Sequence, residues 1–180
     1  MIFADIFGVL IAMSIPGIGT FLSTAPLLKQ TNGGEIGWND WYRSLSKPHW
    51  APPLWLLGPV YSFLFTLVGL SSFIIYKSDG DSEDFDTSVN RQVALMLYAT
   101  QMILSWAWTP VFFYLKKIGG SLVISVALVL VSWLSVFKFF QVNITAGLLQ
   151  LPFTIWLCYD SAVNYKLYSM NRTRSKQRYI

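Results

Sequence analysis

Five long apolar runs, separated by shorter polar segments, dominate the pattern of the chain. They cover about residues 2–28, 54–76, 93–115, 118–137 and 145–168. Each reaches the roughly 20 residues that a helix needs to cross about 30 Å of hydrocarbon. The runs lack the strict alternation of apolar and polar residues that marks a membrane-spanning strand. The pattern predicts an all-α integral membrane protein, folded as a five-transmembrane-helix bundle in one domain (residues 1–170) with a basic tail (171–180).

The composition agrees with a membrane protein and excludes several classes of site. Of the 180 residues, 54% are hydrophobic and 12% are charged, which is half of the roughly one quarter found in soluble domains. A single Cys and a single His exclude an internal disulfide framework and a multi-histidine metal site. Phosphate-binding, dinucleotide, zinc-protease and serine-hydrolase motifs are absent from the sequence. We expect no metal site, no catalytic set, no required cofactor and no nucleic-acid partner.

The basic residues are distributed unevenly between the two faces that five spans would create. Loop 29–53, the turn between the third and fourth spans, and the tail side hold ten of the 13 Lys and Arg residues. Cytosolic segments of membrane proteins are enriched in these residues. We therefore expect loop 29–53 and the tail 171–180 to face the cytosol, with the acidic loop 77–92 on the opposite side.

Polar and small residues form stripes along four of the spans. Stripes of small residues are typical of close helix packing in lipid. They are found on the first span (Gly8, Ala12, Pro16, Gly19, Ser23) and on the fourth (Ser121, Ser125, Ser132, Ser135). Mixed stripes of amides, Trp and a carboxylate occur on the third span (Gln101, Ser105, Trp108, Thr109) and on the fifth (Gln150, Thr154, Asp160, Ser161, Asn164).

Asp160 and two Trp residues inside the spans suggest a cavity. A charged side chain at membrane depth is costly, so Asp160 should face protein or a wet space. It either hydrogen-bonds a neighbour such as Asn164 as a structural residue or lines a ligand cavity. Trp108 and Trp156 also lie within spans, where their N–H groups need partners. An aromatic cavity with a few polar groups suits a large, flat, mostly apolar ligand.

Three blocks of sequence resemble the translocator protein family, also called tryptophan-rich sensory proteins or peripheral benzodiazepine receptors. The first is WYRSLSKPHWAPPLW (41–55) in the Trp- and Pro-rich loop. The second is Gln101 followed by WAWTPVFF (106–113), and the third is PFTIW (152–156) followed by Asn164 and Tyr165. Their order and spacing place the resemblance over about residues 8–168.

The resemblance implies a membrane protein, often a homodimer, with a cavity beneath its first loop. Its ligands would be cholesterol, porphyrins such as haem, and benzodiazepine- or isoquinoline-type drugs, bound in association with their transport or sensing. The alternative is a light- and oxygen-dependent porphyrin-degrading enzyme. We favour a non-enzyme because Tyr61 stands where the family usually has a Trp implicated in that chemistry. A structural protein that holds only lipid is a third reading.

The resemblance also implies a location and a set of site residues. The expected location is the mitochondrial outer membrane with a cytosolic carboxyl terminus, and a bacterial membrane is the alternative. The family's ligand-binding positions fall at Thr24, Leu27, Leu57, Gly58, Pro59, Val60, Tyr61, Trp108, Trp156, Asp160 and Val163. A loop lid would use Trp41, Trp50, Pro52, Pro53 and Trp55. A cholesterol motif, altered because residue 169 is Ser, would use Val163, Tyr165, Tyr168 and Arg172.

Several positions depart from the family pattern. Asp160 replaces a small residue that faces the drug pocket, and Gly120 stands where many animal members have a drug-contacting Trp. Ser105 replaces the usual Asn before Trp-Ala-Trp. Met96 and Thr100 occupy a face of the third span on which family dimers are often built from small residues. Bulkier side chains there predict a weaker or differently packed dimer.

Overall fold

The described chain consists of helices joined by short turns. The computed structural model describes residues 2–29, 37–78 and 85–177. Within these ranges there is no strand, as the all-α prediction requires. The helices are α1 (Ile2–Lys29), α2 (Trp38–Ser44), α3 (Leu54–Lys77), α4 (Phe85–Thr109), α5 (Ile118–Val142) and α6 (Ile144–Gln177), and a π-helical segment (Pro110–Tyr114) follows α4.

Three features of the helices differ from the sequence prediction. α4 begins at Phe85 rather than near 93, and α6 continues to Gln177 through most of the predicted tail. Hydropathy marks only the apolar stretch. A helix makes its backbone hydrogen bonds within itself, so it can continue from apolar into polar sequence. The third difference is α2, which lies in the segment predicted as a loop. Its seven residues are too few for a periodic signal.

The distribution of side chains is that of a protein surrounded by lipid. Among the described residues, α3 and α5 are long and apolar enough to cross a membrane, with mean hydropathy of 1.7 and 2.3 over their most apolar windows. The outer surface carries exposed Leu, Ile, Val and Phe side chains, while Ser, Gln, Thr and Asn side chains are buried between helices. Soluble proteins show the opposite arrangement.

α5 and α6 are joined by a ladder of polar contacts. The predicted Ser stripe of α5 is buried and faces polar side chains of α6 at four successive levels. The pairs are Ser121–Asn164 (3.4 Å), Ser125–Ser161 (3.1 Å), Ser132–Thr154 (2.6 Å) and Ser135–Gln150 (3.4 Å). Such interhelical hydrogen bonds stabilise packing in lipid, where helices gain little from hydrophobicity. We call these eight residues the serine ladder.

α1 packs closely on α3 because Gly69 has no side chain. A Cβ atom at Gly69 would meet the backbone of Ala12 and lie 2.6 Å from the Cα of Met13. On its other side, α1 contacts α4 through Trp106, whose indole lies against Gly19. The Nε1 of Trp106 donates a hydrogen bond to the Pro16 carbonyl oxygen at 3.2 Å. These contacts place α1 along one wall of a cavity between the helices.

Candidate ligand cavity

A cavity of about 490 Å³ lies among the five long helices. Apolar and aromatic side chains form most of its surface, and each long helix contributes to the wall. Among the lining residues are Met13 and Gly17 (α1), Gly58 and Phe65 (α3), Trp108 (α4), Leu128 (α5), and Leu157 and Asp160 (α6). Phe113 of the π-helical segment completes the aromatic part.

Several hydroxyl groups on the cavity wall donate to their own helix. Ser14 donates to the Leu10 carbonyl oxygen at 2.6 Å, and Thr66 donates to that of Ser62 at 2.9 Å. Two other groups on the wall, Ser105 Oγ and Trp108 Nε1, are buried and have no hydrogen-bond partner in the part of the chain that the structure describes. Buried polar groups are nearly always paired, so unpaired ones beside a cavity indicate where a ligand's polar group can bind.

The π-helical segment positions the aromatic wall. Pro110 has no N–H to bond the preceding turn, and the wider turn is closed by the Leu115 N–H, which donates to the Pro110 carbonyl oxygen at 2.9 Å. In this geometry Phe112 stacks on Trp108 with centroids 4.9 Å apart and planes 8° apart. Phe113 meets Trp108 edge-on at 6.0 Å. The stack holds the Trp108 ring, and with it the unpaired N–H, at the cavity.

Asp160 lies on the α6 side of the cavity. The Tyr61 hydroxyl is its hydrogen-bonding neighbour. Asn164, the partner considered from the sequence, bonds Ser121 of the serine ladder. No Lys, Arg or His is among the described residues that line the cavity. Asp160 is therefore a carboxyl group without a basic partner on the wall.

α2 and the segment that follows it, together residues 38–53, pack over one end of the cavity and are called the cover. Trp41 packs edge-on against Phe112 with centroids 5.4 Å apart. Pro52 and Val163 line a small void of about 30 Å³, and this void shares Trp108 and Asp160 with the main cavity. By contrast, Trp55 is 74% exposed. Pro53 is exposed too and caps the start of α3.

Burial shifts the pKa values of two side chains of the cover, Tyr42 and Lys47. Tyr42 of α2 is buried, and burial, with a smaller contribution from the charge of Asp160, raises the pKa of its phenol. The Lys47 ammonium donates to the Tyr42 and Leu45 carbonyl oxygens at 2.6 and 3.1 Å. Partial burial lowers the pKa of Lys47. Lys47 thus closes the carboxyl end of α2, where carbonyl groups lack partners.

α6 holds the cover at two points. The Asn171 side chain accepts from the Ser46 N–H at 3.1 Å and donates to the Ser46 carbonyl oxygen at 3.0 Å. Near the other end of the cover, the Tyr159 hydroxyl donates to the Trp50 carbonyl oxygen at 2.7 Å. The two contacts tie the position of the cover to a single helix.

The ligand-binding positions expected from the sequence fall in three places. Leu57, Gly58, Tyr61, Trp108 and Asp160 line the cavity. Pro59, Val60 and Trp156 line a separate, largely apolar groove between α3 and α6, while Val163 lines the small void. The side chains of Thr24 and Leu27 lie outside the described residues.

The residues of the expected cholesterol motif do not share one face of α6. Val163 is buried, whereas Tyr165 is 62% exposed. Arg172 lies over the Tyr168 ring, with its guanidinium carbon 5.8 Å from the ring centroid. Of the four expected motif residues, Tyr168 and Arg172 contact each other through this cation–π interaction.

Sequence reasoning missed part of the cavity wall. Gly17, Phe65, Phe113, Leu128 and Leu157 line it. Phe113 ends the 106–113 motif, and the other four are ordinary apolar or small residues of a span in the sequence. Ser105 and Thr109 of the polar stripe on the third span also reach it. The polar stripe indicates the position of Ser105 and Thr109, because its helical period of 3.6 residues places both on the inward face of the helix.

Comparison with known proteins decides the family. A model of the TspO/MBR family matches residues 12–169. The chain belongs to the TspO/MBR family. It is 34% identical to a protein named translocator protein from Bos taurus, over 91% of this chain and 90% of the relative. It is also 31% identical to a tryptophan-rich sensory protein from Cereibacter sphaeroides, over 82% and 87%.

A third relative in the TspO/MBR family, the CrtK protein of Rhodobacter capsulatus, is 33% identical over 73% of this chain and 78% of its own length. The resemblance seen in the sequence is thus confirmed, and the chain is an all-helical membrane protein of this family. The relatives come from a mammal and from bacteria, so family membership leaves the kind of membrane open.

Proposed function

We propose that this TspO/MBR-family chain binds cholesterol and porphyrin- or haem-type ligands in its cavity, in association with their transport or sensing. The cavity itself is the observation that supports the proposal. Its volume of about 490 Å³ falls within the roughly 300–1,000 Å³ of small-molecule sites, which are also mostly apolar with few polar groups. Drugs of the benzodiazepine and isoquinoline type would occupy the same space.

The polar groups of the cavity suit these ligands. A sterol hydroxyl can donate to Asp160, and ligand oxygens can accept from the unpaired Trp108 and Ser105. The ring of Trp108, which is held by its stack on Phe112, offers an aromatic surface next to these groups. The names of the relatives, translocator protein and tryptophan-rich sensory protein, agree with a binding role.

A cavity-filling substitution tests the proposal. Gly58 lies on the wall, and a Cβ atom there would meet nothing within 4 Å. We expect Gly58→Leu to weaken binding of protoporphyrin and cholesterol at least about tenfold because it occupies ligand volume. Binding is measured on purified protein in lipid nanodiscs by quenching of tryptophan fluorescence.

The matched control is Phe63→Ala in the outer groove, where Phe63 is exposed. This variant should bind both ligands as the parent does. The opposite result, with the groove variant impaired and Gly58→Leu normal, would assign binding to the groove. Failure of the parent protein to bind either ligand would overturn the proposed function.

The alternative function is light-dependent porphyrin degradation. The observation in its favour is a pair of oxidisable rings, Tyr61 and Trp156, in edge contact with centroids 6.2 Å apart beside the cavity. Illumination of the protein with protoporphyrin in oxygen should then yield degradation products at a rate that falls in Tyr61→Phe. If the porphyrin is recovered intact, the protein binds porphyrin without degrading it.

The topology proposed for the chain has five spans, formed by α1, α3, α4, α5 and α6. The distribution of Lys and Arg supports a cytosolic carboxyl terminus, and we propose the mitochondrial outer membrane, with a bacterial membrane as the alternative. A tag on the tail should be released by protease from intact organelles. A protected tail together with a cleaved acidic loop would reverse the orientation.

A homodimer through α4 is also proposed. Met96 is 67% exposed and Thr100 is exposed on the same helix, so a second copy can reach this face. Met96 prevents the close backbone approach that small residues allow, and we expect a weak dimer. Cysteines introduced at 96 and 100 should cross-link inefficiently in nanodiscs, whereas rapid and complete cross-linking would indicate a tight interface here.

A further inference from the structure

The charge of the cavity wall comes from one acidic residue. Asp160 lines both the main cavity and the small void beneath the cover, and neither space is lined by a basic side chain among the described residues. The titratable groups that face Asp160 are Tyr61 of α3 and Tyr42 of α2. Both are phenols, which supply hydrogen bonds but no positive charge.

The unpaired donors lie on a different helix. Ser105 and Trp108 belong to α4, and neither has a hydrogen-bond partner in the described part of the chain. Ser14 and Thr66, which also line the cavity, already donate within their own helices. The wall therefore has a carboxyl group on one helix and free donors on another, with apolar side chains between them.

A carboxyl group in this setting discriminates between ligands by charge. In a mostly apolar cavity, an ammonium group on the ligand would pair with Asp160 and offset the cost of burying both charges. A ligand carboxylate would meet a like group without a cation to separate them, which disfavours binding. The apolar remainder of the ligand makes the same contacts in either case.

We propose that the cavity selects flat, apolar ligands that carry a basic amine, with the amine on Asp160 and a ligand acceptor on Trp108, over the same scaffold carrying carboxylates. This inference rests on the proposed function, since it assumes that ligands occupy the cavity. It adds a preference to that function, because neutral and cationic amphiphiles are expected to bind more tightly than acidic ones. Acidic porphyrins bind more weakly than their neutral esters.

The test uses one porphyrin scaffold in three forms: the dicarboxylic acid, its dimethyl ester and its bis(aminoethyl) amide. Affinities are measured at neutral pH in nanodiscs of uncharged lipid, so that the membrane does not concentrate either charge. We expect the parent to bind the amine at least about tenfold more tightly than the acid, as a charge-assisted hydrogen bond implies. The ester should lie between them.

Substitutions at Asp160 assign the preference to this residue. Asp160→Asn keeps the shape and removes the charge, so it should abolish the preference for the amine. Asp160→Glu should retain the preference. The control, Tyr76→Phe, removes a hydroxyl at an exposed position of α3 outside the cavity and should leave all three affinities unchanged.

The outcomes separate this inference from the function on which it rests. An equal affinity of the parent for the amine and the acid overturns the inference alone, because binding itself is then shown. Retention of the preference in Asp160→Asn also overturns it. Absence of binding by all three ligands overturns both. The ranking in the parent needs no variant, so misfolding of Asp160→Asn does not prevent a decision.

Discussion

The Nε2 of Gln150 on α6 donates a hydrogen bond to the Oε1 of Gln101 on α4 at 3.0 Å, and both side chains are completely buried. The remaining amide groups of the pair, Gln101 Nε2 and Gln150 Oε1, have no partner among the described residues. The bundle therefore contains a bonded amide pair that is only partly satisfied. Replacing one member of such a pair should lower the free energy of unfolding more than replacing both, because the remaining amide is then left buried without its partner.

A double-mutant cycle on this pair tests that statement. Gln150→Leu alone should lower the free energy of unfolding by about 1–3 kcal/mol because it leaves the Gln101 oxygen without a donor. Gln101→Leu combined with Gln150→Leu should recover part of this loss. The measurement is thermal or denaturant unfolding in detergent. Losses that simply add in the double variant would show that the amides do not interact.

Two glycines should respond in opposite directions to the same substitution. Gly69→Ala places a methyl group against the backbone of Ala12 and Met13, so it should lower the free energy of unfolding by about 1–3 kcal/mol. Gly17→Ala meets nothing within 4 Å and should raise it by about 0.5–1 kcal/mol through backbone entropy. Unfolding temperatures of the two variants check this, and equal shifts would contradict the close α1–α3 contact.

The unpaired N–H of Trp108 should matter for binding and not for folding. Trp108→Phe removes a buried donor that has no partner among the residues that the structure describes, so the unfolding temperature should hold or rise. Affinity for the porphyrin dimethyl ester should fall about threefold to tenfold. Porphyrin absorbance reports binding without relying on tryptophan. Trp133→Phe, at a half-exposed position on α5, is the control and should change neither quantity.

The contact of Asn171 with Ser46 should set how firmly the cover is held. Asn171→Ala removes both hydrogen bonds to the Ser46 backbone. We expect faster proteolysis between α2 and α3 and faster ligand release, with the helices intact by circular dichroism. Lys166→Ala, exposed on the same helix, should leave both rates unchanged. An Asn171→Ala variant with the parent's proteolysis rate would mean that Tyr159 alone suffices to hold the cover.

Much of the architecture can be predicted from the pattern of residues along the sequence. The apolar runs gave the positions of the long helices, because burial in lipid requires long uninterrupted apolar stretches. The Ser stripe of α5 was assigned to packing from its spacing, and the serine ladder is that stripe paired with α6. The motifs in 41–55, 106–113 and 152–156 identified the family, which the comparisons confirm.

The partners of individual polar residues did not follow from the sequence. Asn164 is one turn from Asp160 and was the natural partner to consider, yet it bonds Ser121 on α5. Asn171 was counted in a tail, yet it holds the cover through Ser46, 125 residues away along the chain. Both contacts depend on how two helices are rotated about their axes, and periodicity determines that rotation only to within a face.

The order of residues along the chain is enough to predict the helical class, the family and the residue types available to a ligand, because each depends on local composition and order. Which of those residues meet around one space depends on how the helices pack. Trp108 and Asp160 line the cavity, while Trp156, only four residues before Asp160, lines the outer groove. Four residues make slightly more than one turn of a helix, so Trp156 and Asp160 lie on nearly the same face, and a small change in helix rotation or in a neighbouring contact moves a side chain between cavity and outer groove. Packing of all five long helices is needed to make that choice.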